Sequence, residues 1–145
     1  MVKAYIDTNV IIAGYVRSHS HHVPAVELFR RMRDNHISAI LLAHGLSEMY
    51  SVLTKTPFVP RISPNEARQL LSDRVLDKFE IVHLTTEEHI GVIRRSSHDG
   101  WAGGRIFDAL HLQAARKTHC ERIYTFNVRH FRQLAPDLAD IIVAP

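Results

Sequence analysis

Three carboxylates and an amide, Asp7, Glu48, Asp108 and Asn127, are the side chains of this 145-residue chain whose types and placement suit chemistry. Asp7 closes the apolar-rich run Val2-Lys3-Ala4-Tyr5-Ile6 and comes just before a helix-like segment, Val10 to Tyr15. That places it at the carboxyl end of a first strand, the edge at which parallel α/β sheets bind ligands. If the other acids converge there, their mutual repulsion calls for a counter-ion, and a hard divalent cation with oxygen ligands meets that need. The chemistry this suggests is metal-dependent work on phosphate.

Each of these residues also has an ordinary explanation. Glu48 falls on a predicted helix from Ala43 to Lys55, well off its apolar stripe of Leu46, Met49, Tyr50 and Leu53, which is where a plain solvated glutamate sits. His44 shares its face, either as a partner of Glu48 or as a surface histidine. Asp108 projects from a predicted helix, Arg105 to Lys117, on the side of Leu112 and Ala115 and next to His111. A carboxylate on an apolar flank costs several kcal/mol unless it is paired, hydrogen-bonded or bound to metal. The alternative is first-turn placement, where aspartate favours the helix dipole and caps free amides. Asn127 follows Thr125-Phe126 and precedes a short helical stretch, Val128 to Leu134. It reads as a helix N-cap, a role compatible with ligating or orienting water through its neutral carbonyl oxygen.

The elements that must position these residues alternate along the chain. Strand candidates are Val2 to Ile6, Ser38 to Leu42, Glu80 to Leu84, Arg122 to Phe126 and Asp140 to Val143. Helices fill the intervals. Pro24 suits the first turn of one running to about Asp34, Ser63-Pro64-Asn65-Glu66 is a capping box with proline at the first position, and Thr85-Thr86-Glu87-Glu88 opens another through about Arg95. The pattern predicts one α/β domain over residues 1–145, a three-layer sandwich with a central, mainly parallel sheet of four or five strands flanked by helices.

Composition sets broad limits. With 46% hydrophobic and 23% charged residues the chain can bury a substantial core. The single cysteine, Cys120, has no internal disulfide partner, and no apolar run reaches the ~20 residues of a membrane span. The amino terminus reads as a strand rather than a signal peptide, so a cytoplasmic protein with no membrane association is expected. A formal charge of +3 leans weakly toward a polyanionic partner.

Four segments together resemble the PIN-domain ribonucleases, and within them the VapC-type toxins of toxin–antitoxin pairs. They are Tyr5-Ile6-Asp7-Thr8-Asn9-Val10-Ile11-Ile12, the glutamate Glu48 about forty residues on, Gly104-Arg105-Ile106-Phe107-Asp108-Ala109-Leu110-His111, and Thr125-Phe126-Asn127-Val128-Arg129-His130-Phe131. The resemblance spans essentially the whole chain and implies a PIN-like fold and metal-dependent hydrolysis of RNA, with single-stranded regions or loops as targets. It places the acidic quartet on Asp7, Glu48, Asp108 and Asn127, with Mg²⁺ or Mn²⁺ held by Asp7, Asp108 and Glu48. It further implies a homodimer and a VapB-type antitoxin. The chain departs from the pattern at Asn127, where many members carry aspartate, and at His130, where an acid often stands. Both changes make the site less acidic, and a degenerate PIN scaffold that only binds RNA or a partner protein is the alternative.

Residues around the quartet extend the reading. Arg17, His19, His21 and His22, and Arg129 with His130, stand close enough in sequence to meet phosphates. The histidine cluster reads as an RNA-facing loop in preference to a zinc site. The segment His98 to Gly104 is either a mobile loop stacking a base on Trp101 or a plain connector with Trp101 packed down. The apolar helical segments Val23 to Met32 and Glu66 to Leu76 serve equally as partner surfaces or as core.

Overall fold

The computed structural model describes residues 1–145. Five parallel strands, β1 (Val2–Ile6), β2 (Ile37–Leu42), β3 (Glu80–Val82), β4 (Arg122–Tyr124) and β5 (Ile142–Val143), line up in the order β3-β2-β1-β4-β5. The order reverses around β1, so its carboxyl end is the switch point of the sheet, and Asp7 occupies it. Seven α-helices complete the layers: α1 (Thr8–Tyr15), α2 (His22–Arg33), α3 (Ala43–Lys55), α4 (Pro64–Leu70), α5 (Thr86–Asp99), α6 (Arg105–Lys117) and α7 (Val128–Leu134). A π-helical turn, Leu71–Val75, extends α4, and a 3-10 turn, Pro136–Ile141, leads into β5.

Strand alternation divides the core in two. On β1, Ala4 and Ile6 face the cluster that takes in Ile11 of α1, Leu28 of α2, Met49 of α3 and Ala67 of α4. Tyr5 faces the other, with Val92 of α5, Leu110 and Leu112 of α6 and Phe131 of α7. Helices therefore cover both sheet faces, as the alternating sequence predicts.

The expected boundaries hold to within a few residues, with local causes where they move. Ser63 accepts from the Glu66 N–H, and Thr85 and Glu88 close the full capping box, so α4 and α5 start where the sequence places them. Helix α5 runs on to Asp99 and ends on Gly100, whose left-handed backbone (φ 74°) suits glycine. The last strand is shorter than expected because Pro136–Ile141 coils into the 3-10 turn first. Trp101 is half-buried against the α5–α7 core, which is the packed-down reading of that connector.

One glycine sets the position of the acidic helix. A Cβ on Gly45 would stand 2.8 Å from Leu41 Cδ1 and 3.1 Å from Thr8 Cγ2. Its absence lets α3 lie close over the start of α1, which brings the Glu48 turn toward Asp7.

Candidate active site

All four quartet positions lie at the carboxyl edge of the sheet or on the helices that leave it. Asp7 follows β1 directly and is only 4% exposed. No lysine or arginine pairs with it; the Thr125 hydroxyl donates to its Oδ2 at 2.7 Å. Glu48, on the second turn of α3, reaches across to the other layer, where its Oε1 meets His111 Nε2 at 2.9 Å, and the same oxygen meets His44 Nε2, one turn earlier on α3, at 3.1 Å. Asp108, on the first turn of α6, meets His130 Nε2 through Oδ2 at 3.2 Å. Neither Glu48 nor Asp108 is a freely solvated side chain, and Asp108 caps nothing.

Asn127 departs from its expected role. It stands at the residue before α7, but its side chain makes no capping bond. Its backbone N–H donates to Thr125 Oγ1 at 3.0 Å, so one threonine hydroxyl ties Asp7 to the Asn127 turn. The exposed Asn127 amide joins the group through this backbone link alone.

Three residues that sequence reasoning left out complete the site. Thr125 is fully buried and bridges two quartet members. His111 is 1% exposed and carries Glu48 on one ring nitrogen and the Tyr5 hydroxyl on the other. Tyr5 also accepts a 3.1 Å bond from the Leu42 N–H. A tyrosine in a strand covered on both faces signals a polar partner, since a buried phenol needs one.

The three carboxylates are held in different electrostatic states. Burial raises Asp7 to about 6; the charge of Asp108 adds to this, while His111 and the Thr125 hydrogen bond oppose it. Burial likewise raises Asp108, with Glu48 adding and His111 and His130 opposing. At Glu48 burial works upward too, yet the hydrogen bond and charge of His111, with His44, outweigh it and hold the carboxyl below its usual range. The edge thus carries one carboxylate whose charge the histidines favour and two whose ionisation burial makes harder.

That donor set fits a hard divalent cation in composition. Asp7 is a buried oxygen donor without a cationic partner, and Asn9 Oδ1, two residues on, is buried with no hydrogen-bond partner. A closed shell is not preformed: no three His, Cys, Asp or Glu side chains stand close enough to enclose an ion. Mg²⁺ commonly binds through one or two carboxylates and keeps several waters, so a closed protein cage is not required.

The neighbouring histidines do other work. His19 Nδ1 accepts from the His21 N–H, His22 Nδ1 bonds to the Ala13 carbonyl, and the His21 ring stacks on Phe126 at 4.3 Å. They form an ordered loop and no metal cluster. His44 stacks on Phe107 at 5.0 Å beside Glu48, and Arg17 and Arg129 are exposed.

The PIN-domain family model matches residues 4–136. The chain belongs to the PIN-domain family. Ribonuclease VapC27 of Mycobacterium tuberculosis (strain ATCC 25618 / H37Rv) is 34% identical over 116 residues, covering 80% of this chain and 79% of that protein. Ribonuclease VapC40 of Mycobacterium tuberculosis (strain CDC 1551 / Oshkosh) is 31% identical over 104 residues, 72% of each chain. Among solved structures, VapC20 of Mycobacterium tuberculosis, described as a sarcin-ricin loop cleaving toxin, superposes with a TM-score of 0.73 at 17% identity. The match covers 98% of this chain and 99% of that one. VapBC2 of Rickettsia felis, bound to a DNA fragment from its promoter, gives 0.67 at 16% identity, covering 99% and 98%. At these identities the solved structures speak for the PIN fold alone. No helix of this PIN domain is long and apolar enough to cross a membrane.

Proposed function

We propose that the chain is a metal-dependent ribonuclease, the toxin of a VapBC-type toxin–antitoxin pair. The observation that carries the reading is Asp7: a buried carboxylate at the switch point of the sheet, raised further by the charge of Asp108 and with no lysine or arginine paired to it. The ribonuclease names of the VapC27 and VapC40 relatives supply the reaction class.

Asp7 and Asp108 would hold a Mg²⁺ or Mn²⁺ ion, with Glu48 binding the ion or a water beside it. Such an ion, when bound, neutralises charge on the phosphoryl oxygens and makes an in-line water more acidic. Thr125 keeps Asp7 aimed by donating to Oδ2, leaving Oδ1 free of that bond. His111 and His44 fix one oxygen of Glu48, and the Asn127 amide, exposed at the edge, is placed to orient a water. The exposed Arg129 and Arg17 suit the phosphates of an incoming strand. No nucleophilic side chain is needed.

Partners follow the same reading. VapBC2 and FitAcB of Neisseria gonorrhoeae, both among the similar structures, carry two-component names. A small antitoxin and a homodimer are therefore proposed for this chain, with a cytoplasmic location.

Cleavage of a mixed RNA pool with Mg²⁺ or Mn²⁺, repeated with EDTA, is the deciding experiment. Cleavage that EDTA abolishes and that folded Asp7→Asn and Asp108→Asn variants lack is the expected result. Full activity in those variants would refute the assignment. RNA binding without cleavage would favour a degenerate scaffold, a reading that draws on the histidines already occupying Glu48 and Asp108.

A further inference from the structure

We propose that Tyr5 is a positioning residue for Glu48, acting through His111, and that its buried hydroxyl sets how well this edge binds a divalent cation. The inference rests on the metal reading above and extends it to a residue outside the quartet.

Tyr5 is fully buried, and its hydroxyl oxygen already accepts from the Leu42 N–H at 3.1 Å. Its own O–H still needs an acceptor, and the one within reach is His111 Nδ1. A tyrosine that donates to Nδ1 requires that nitrogen to carry no proton. The ring N–H then sits on Nε2 and donates to Glu48 Oε1 at 2.9 Å. The surrounding carboxylates favour an imidazolium instead, but a proton on Nδ1 would strand the Tyr5 O–H in the core. With Tyr5 at 0% and His111 at 1% exposure, that loss has no water to repair it.

The consequence falls on Glu48. Its Oε1 takes His111 from the interior and His44 from the rim, so Oε2 is the oxygen that neither histidine holds. A half-buried glutamate without such partners samples several rotamers. The chain Leu42 N–H to Tyr5 to His111 to Glu48 spans β2, β1, α6 and α3, and so locks the acid to the sheet itself. Partners of this kind behind a ligand typically change metal affinity 10- to 100-fold when removed.

Tyr5→Phe keeps the ring and deletes only the hydroxyl. Mn²⁺ affinity is measured by calorimetry for the wild type, Tyr5→Phe, Glu48→Gln and the double variant, with circular dichroism and melting curves as folding controls. The expected result is a roughly 10- to 100-fold weaker Kd in Tyr5→Phe and no further loss when it is added to Glu48→Gln. Wild-type affinity in Tyr5→Phe overturns the proposal. So do losses that multiply in the double variant, because Tyr5 would then act on the fold and not through Glu48. Nitrogen NMR of the metal-free imidazole gives an independent readout: Nδ1 should be an unprotonated, hydrogen-bonded acceptor in the wild type and lose that hydrogen bond in Tyr5→Phe. A proton on Nδ1 in the wild type, or an unchanged Nδ1 signal in the variant, rejects the relay. If the wild type binds no Mn²⁺, the metal reading falls, and this spectrum alone decides whether Tyr5 positions Glu48.

Discussion

The two ends of the sheet present opposite kinds of recess. At the amino edge, where β2 and β3 begin, a cavity of about 650 Å³ opens between α2 and the π-helical turn, lined among others by Tyr15, Phe29, Arg30, Arg74 and Lys78. At the carboxyl edge the recess beside Asn127, Arg129 and His130 is smaller, about 440 Å³. The amino end has the room, but its charges are of both signs and face solvent, as Arg30 does in its exposed pair with Glu27. The carboxyl end has a buried carboxylate, Asp7, and a half-buried one, Asp108, that disfavours its charge. Charge held in an unfavourable place has to be offset elsewhere in the stability of the fold, so it marks a working site more reliably than volume does.

Asp7→Asn should separate the two ends most sharply. RNA cleavage is expected to fall by at least ~100-fold, beyond what loss of a ligand's neighbour alone produces. Stability should move the other way. Because the folded state raises Asp7 from 3.8 to about 6, it binds that proton more tightly than the unfolded chain does. The Asp7 contribution is therefore most favourable below about pH 4, declines as pH rises toward 6 and stays unfavourable above it. At about 1.4 kcal/mol per decade the difference is ~3 kcal/mol, an upper bound for a neutral amide that keeps the Thr125 bond. Melting curves of the metal-free proteins from pH 4 to 8 should show Asp7→Asn overtaking the wild type as pH rises. Added Mn²⁺ should then raise the melting temperature of the wild type and leave the variant unmoved. A variant less stable than wild type at pH 7 would remove the contrast between the two edges.

Thr125→Val comes next. The substitution preserves shape while deleting the hydroxyl that donates to Asp7 and accepts from Asn127. A hydrogen bond to a charged group contributes about 1.5–3 kcal/mol, and a loss in that range is expected at pH 7 by denaturant unfolding. The loss should shrink at pH 4, where Asp7 is protonated. An equal loss at both pH values would mean that Thr125 serves the turn and not the carboxylate.

These two residues also show how far the sequence could be read. Asp7 was legible because strand, acid and helix follow one another within a dozen residues, and the parallel order puts the end of β1 at the switch point. Asp108 stood out as a carboxylate on an apolar flank. Glu48 did not, because helical periodicity describes only the face turned to its own layer. Its partner His111 comes from the opposite layer, 63 residues away. Thr125 looked like a strand residue, and β4 does end at Tyr124, one residue earlier. The Asn127 cap was sound as local chemistry, yet the asparagine side chain stays exposed without a capping bond, and only its backbone N–H is engaged, by the Thr125 hydroxyl. Strands and caps are written in nearest neighbours, whereas the hydrogen bonds that assemble this site cross between layers.

The smallest expected effect belongs to the amino edge. Arg30 is more than half exposed, and its pair with Glu27 spans three residues on one helix face. Exposed pairs of this kind contribute about 0.3–0.5 kcal/mol, because solvent screens the charges and holding two long side chains together costs entropy. Arg30→Ala should therefore shift stability by no more than ~0.5 kcal/mol and leave RNA cleavage and Mn²⁺ affinity within error. The same variant tests whether the larger recess has a hidden part in the reaction. A drop in cleavage at unchanged stability would show RNA or a second chain reaching the amino edge, and the division between a roomy, balanced end and a tight, strained one would have to be redrawn.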